Sequence, residues 1–128
     1  MTHPTDSLEG LRQQLAEFAR QRDWEQFHSP KNLAMALIAE AAELVEHFQW
    51  LTEPQSQQID ADKRAAVRLE LADILIYLVR TADRLDIDLI AAARDKIAIN
   101  EQRFPAARVR GLACRGSEVN ARQEFDEG

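Results

Sequence analysis

Asp62-Lys-Arg-Ala-Ala-Val-Arg-Leu-Glu-Leu-Ala-Asp-Ile-Leu-Ile-Tyr-Leu-Val-Arg-Thr-Ala-Asp-Arg-Leu85 contains neither glycine nor proline. On a wheel of about 100° per residue, Val67, Leu71, Ile74, Leu75, Leu78 and Leu85 fall on one apolar arc, which predicts a helix over 62–85. Working outward, three more segments read the same way. Residues 7–22 carry Leu8, Leu11, Leu15 and Phe18 at helical spacing, and Asp6 with Glu9 has the form of a capping box. Residues 30–51 begin after Ser29, a good N-cap, with Pro30 suited to the first helical position. Residues 88–103 form the last segment, which Pro105 stops. No stretch alternates with period two, so the fold class is all-α. The connectors are 23–28, with two aromatics and a histidine, and the polar stretch 52–60. The composition beyond Arg108 cannot bury much, so we expect a domain over 1–107 and a flexible polar tail over 108–128.

The 128 residues suit a single domain. A formal net charge of −6 argues against long nucleic acids and anionic membranes as partners. It argues equally against a free nucleotide, unless a cation intervenes. The lone cysteine, Cys114, cannot form an internal disulfide and reads as a reduced thiol in a cytoplasmic protein. The first seven residues lack the basic and apolar runs of a signal peptide. No apolar run approaches the roughly 20 residues of a membrane span.

The acidic residues carry the chemistry. On the second segment Glu40 borders the apolar arc of Leu33, Leu37, Ala41, Leu44, Val45, Phe48 and Leu51. Glu43 is one step further round, and His47 falls between the two in angle. The third segment repeats this with Glu70 and Asp73, and Tyr77 lies between them. Spacing alone does not mark a site, because acidic pairs at i, i+3 recur at Asp6/Glu9, Glu43/Glu46, Asp83/Asp86 and Glu124/Glu127. Four carboxylates at one helix seam, however, would repel and be costly to desolvate, and a divalent cation removes that conflict. An all-oxygen ligand set suits magnesium, manganese or calcium rather than zinc or copper. Di-iron bundles use Glu-x-x-His pairs, which neither pair here matches. Magnesium, which favours few protein ligands plus substrate phosphates, lets an acidic protein hold a triphosphate.

Glu40-Ala-Ala-Glu43, 26 intervening residues and Glu70-Leu-Ala-Asp73 resemble the Glu-x-x-Glu…Glu-x-x-Asp signature of the all-α nucleotide pyrophosphohydrolases. These are the MazG-like enzymes and their dCTP pyrophosphatase relatives. The resemblance runs from about Leu11 to Pro105. It includes Arg22-Asp-Trp-Glu-Gln-Phe-His28, Phe48-Gln-Trp50, Asp73-Ile-Leu-Ile-Tyr-Leu78, Lys96-Ile-Ala-Ile-Asn100 and Arg103-Phe-Pro105. It implies an antiparallel four-helix-bundle-like domain that assembles as a homodimer or homotetramer. By position, Glu40, Glu43, Glu70 and Asp73 would ligate Mg2+, with Mn2+ a possible substitute. Trp24, His28, Trp50 and Tyr77 would shape a nucleoside pocket, and Lys96 and Asn100 would meet the phosphates or sugar. Glu40 or Glu43 would take the proton of the attacking water. The implied reaction converts a nucleoside triphosphate, dCTP or a 5-modified dCTP, to the monophosphate and pyrophosphate. Leu15 departs from the family, whose vertebrate dCTP pyrophosphatases carry a substrate-contacting histidine there.

Other roles remain open from the residues themselves. Trp24, Phe27 and Trp50 suit a core as well as a stacking wall for a base. His28 suits a surface loop, His47 reads as structural, and Lys96, Asn100 and Arg103 share a face that is ordinarily just solvated. A rival function is a non-catalytic helical interaction module whose acidic face docks a basic partner.

Overall fold

The computed structural model describes residues 6–113. Among them every regular element is helical, as the periodicity predicts. The elements are α1 (Leu8–Gln21), a 3-10 turn (Glu25–Phe27), α2 (Pro30–Glu46), α3 (Glu53–Ser56), α4 (Ala61–Arg84), α5 (Leu89–Arg103) and α6 (Ala106–Val109). The chain divides into two compact units, Met1–Ile87 and Asp88–Gly128. The expected tail beyond Ala113 lies outside the described residues.

Helix starts follow local capping chemistry. Ser29, Asp60 and Asp88 each accept a backbone N–H three residues on, from Asn32, Lys63 and Ala91 respectively. At α1 the cap is Ser7, which accepts from the Gly10 N–H, rather than the expected Asp6. Glu9 is drawn aside by Arg12, whose Nε donates to its carboxylate at 2.8 Å. α1 and α4 end alike. Asp23 and Asp86 take φ of 55° and 54°, and the next N–H groups reach back to Ala19 and Ala82 at 2.9 and 2.8 Å. This is the Schellman geometry, with Asp standing where glycine is usual.

Two boundaries differ from expectation. α2 stops at Glu46, and residues 47–50 continue as tight turns, so Trp50 lies outside the helix. Lys63 of α4 donates from Nζ to the His47 carbonyl at 2.9 Å and so satisfies the frayed end from across the fold. The polar connector also folds, as the single turn α3, with a capping box between Thr52 and Gln55.

In the first unit α2 packs along α4, and α1 packs on α4. Three contacts fix the direction of α2 against α4. His47 meets Lys63, Glu40 approaches Glu70, and His28, just before α2, meets Arg80. As one number falls the other rises, so the pair is antiparallel. Ala19, Leu33, Val79 and Ala82 are buried at the seams.

Candidate active site

The α2–α4 seam brings three of the four motif carboxylates together. One carboxylate oxygen from each of Glu40, Glu43 and Glu70 lies within 4.8 Å of the others. Glu40 and Glu70 are half-buried, whereas Glu43 is exposed. The Oε2 atoms of Glu40 and Glu70 are buried and have no hydrogen-bond partner among the described residues. Such orphaned acceptors are costly. Burial, then contact with the Glu70 and Glu43 carboxyls, then the charges of Glu43 and Asp73 push the Glu40 carboxyl up to about 7. Asp73 stands outside the 4.8 Å cluster, but its charge reaches it. Buried, unsatisfied, oxygen-only acceptors from two helices fit a hard divalent cation, which would supply the missing partners.

The structure adds one neighbour that the sequence reading left as structural. His47 Nε2 lies 3.9 Å from Glu70 Oε1, at the margin of the cluster. Its position between Glu40 and Glu43 on the helical wheel was the available signal.

A second group forms higher on the seam. The rings of Trp24 and His28 lie 6.3 Å apart, and Phe18 meets Trp24 edge-on at 5.8 Å. His28 Nδ1 accepts from Arg80 Nε at 3.3 Å. Burial chiefly, then the charges of Arg80 and Arg84, lower the His28 pKa, with Glu25 opposing. Ten residues of α4 separate Arg80 from Glu70, which is about 15 Å along the helix axis. Trp24 and His28 therefore do not touch the carboxylates. Tyr77, half-buried, lies one turn from Asp73 and one turn from Arg80 along α4, between the two groups. Trp50 is 87% exposed in the turn after α2. Lys96, exposed, and Asn100, half-buried, are one turn apart on α5, within the second unit.

Residues 36–118 match the model of the MazG-like family. The chain belongs to the MazG-like family. The matched region contains both carboxylate pairs. This MazG-like chain is 48% identical to dCTP pyrophosphatase 1 of Mus musculus over 118 residues, which covers 91% of this chain and 69% of that protein. It is 47% identical to dCTP pyrophosphatase 1 of Homo sapiens with the same coverage. Among solved structures it is similar to a pyrophosphatase from Archaeoglobus fulgidus, with a TM-score of 0.74 and 36% identity over 82% of this chain and 98% of that one.

Proposed function

We propose that this protein hydrolyses dCTP, and 5-modified dCTP, to the nucleoside monophosphate and pyrophosphate, with Mg2+ or Mn2+ held by Glu40, Glu43, Glu70 and Asp73. The chain is a hydrolase of the dCTP diphosphatase type, as its relatives are. The observation that carries the metal-dependent reading is the pair of buried carboxylate oxygens, one on each helix, that find no donor among the described residues.

When bound, the divalent ion neutralises phosphate charge and makes water a better nucleophile. Glu43, exposed, and Glu40, with a carboxyl that protonates near neutrality, are the groups to accept the proton of the attacking water. Trp24 offers its indole face to the base, worth about 1–3 kcal/mol per stacked base in nucleic-acid binders. An extended nucleoside triphosphate has its base at one end and its phosphates at the other, which suits two groups separated along one helix. Tyr77 lies at the intermediate height of the sugar. Lys96 and Asn100 take the phosphates or sugar, whereas Trp50 lies beyond the carboxylates from Trp24 and His28 and so does not line the base end of the same seam.

Self-association belongs to the same reading. Leu71, Leu75, Leu78 and Leu85 share one face of α4 and are each at least 40% exposed. Met35, Ile38 and Val45 form a similar exposed face on α2. Such continuous apolar faces support burial against further copies of the chain, as a homodimer or homotetramer. The cytoplasm is the compartment for this work, in keeping with a lone cysteine. Among the described residues no helix is long and apolar enough to cross a membrane.

The test is incubation of the purified protein with dCTP and magnesium, followed by separation of products. dCMP with pyrophosphate is expected, and chelation of divalent ions stops turnover. dCDP with inorganic phosphate overturns the cleavage site, and full turnover under chelation overturns the metal.

A further inference from the structure

Arg80 is 3% exposed, a buried charge inside the helical core. Nothing in its local sequence requires this, since an arginine late in a helix ordinarily extends into water. Its surroundings explain it. Nη1 donates to Asp83 Oδ2 at 3.0 Å, and Nε donates to His28 Nδ1 at 3.3 Å. The other Asp83 oxygen accepts from Arg12 Nη1 at 2.9 Å, and Arg12 is itself held by Glu9. A chain of charge-assisted bonds thus runs Glu9–Arg12–Asp83–Arg80–His28, from α1 through α4 to the connector before α2. Each link fixes the next, and the imidazole stands at its end.

A guanidinium cannot lose its proton in a protein, so its Nε is always a donor. The nitrogen facing it must then be an acceptor. For His28 that means a neutral ring with its proton on Nε2. The groups facing His28 agree with this. Arg80 and Arg84 oppose a positive ring, Glu25 alone favours one, and burial adds to the arginines.

We propose that Arg80 is a positioning residue that locks His28 as the neutral Nε2–H tautomer, so that the ring offers one fixed donor beside the Trp24 face. This rests on the reading of Trp24 and His28 as the base end of the nucleotide site. A fixed donor next to an aromatic face complements an acceptor atom on a stacked base, such as the carbonyl oxygen or unprotonated ring nitrogen of cytosine. A ring free to switch tautomer would present either a donor or an acceptor and would lose that discrimination.

The experiment pairs a spectroscopic and a kinetic measurement. Nitrogen-15 NMR of the imidazoles across a pH titration reports the tautomer of His28 directly, with no substrate. The wild type is expected to show the Nε2–H form. In Arg80→Met, which keeps length and apolar bulk, the His28 signals shift toward a tautomer mixture and its pKa moves up toward 6.5. In steady-state assays of the same variant, KM for dCTP rises about tenfold, the scale of one lost hydrogen bond, with kcat within about twofold. A proton on Nδ1 in the wild type overturns the lock, and this outcome needs no variant to fold. A His28 spectrum unchanged by Arg80→Met overturns the role of Arg80. A shifted tautomer with KM unchanged, or with kcat alone reduced, overturns its role in base binding. If the wild type releases no dCMP from dCTP, the hydrolase reading fails while the tautomer measurement still stands on its own.

Discussion

Glu40 is unfavourable for the folded chain, and under the proposed function the same surroundings serve its chemistry. Its buried oxygen lacks a donor among the described residues, and its neighbours Glu43, Glu70 and Asp73 are all acidic. Glu40→Gln keeps the shape and removes the charge. We expect turnover of dCTP to fall at least 100-fold, the scale of a lost general base or metal ligand, with the helical circular dichroism unchanged. Near wild-type rates would remove Glu40 from the site. His28 makes a different prediction, through pH. Its native pKa lies below the 6.5 of an unfolded chain. Below about pH 6.5 the unfolded state therefore binds a proton that the native state refuses, and stability falls as pH falls. This contribution is fully present above pH 6.5. Urea denaturation at pH 7.5 and 5.5 should show a smaller loss of stability on acidification for His28→Gln than for the wild type. Equal losses would show that His28 titrates normally.

At the scale of the element, α2 and α4 act as two rulers laid antiparallel, and their caps set where each ruler begins. Ser29 caps α2 through the Asn32 N–H at 3.1 Å. Ser29→Ala should cost about 1 kcal/mol, read as a lower denaturation midpoint with an unchanged slope. Leu33, one turn into α2 and 2% exposed, is the largest fully buried side chain among the described residues. Leu33→Ala should cost about 2–5 kcal/mol, because the cavity adds to the lost transfer energy. That loss would loosen the start of α2 beside His28 before it reached the carboxylates. A cost below about 1 kcal/mol would mean that the site collapses freely and the seam is not close-packed.

At the scale of the whole molecule, the exposed leucines on α4 and the apolar residues on α2 leave the single chain with an unfinished surface. These leucines are already about half covered, so each would gain only part of the about 1.5–3 kcal/mol of full burial under the proposed self-association. Light scattering at micromolar concentration should give a dimer or tetramer. Leu75→Glu, which puts a charge in the middle of the α4 face, should shift the protein toward monomer. A wild type that scatters as a monomer would leave those faces without the occupant given to them here.

The sequence by itself determined the helices and which carboxylates stand as candidates for the site, because both depend on short-range information. Apolar spacing over 62–85, the Ser29-Pro30 start and the i, i+3 carboxylates are all readable within a turn or two of chain. The tertiary structure alone decided what depends on partners far along the chain. α2 ends at Glu46 with no glycine or proline to stop it, and its loose carbonyl at His47 is met by Lys63, 16 residues away. Arg80 is buried because Asp83 supplies its counter-charge, and Arg12 holds the other oxygen of that carboxylate in place through a contact that spans 71 residues. Asp6 ceded the α1 cap to Ser7, a choice between adjacent residues that propensity does not separate. The meeting of Glu40, Glu43 and Glu70 also belongs to the packing. A helical wheel gives the angle of a side chain about its own axis, but only the antiparallel register of α2 on α4 sets which heights face each other.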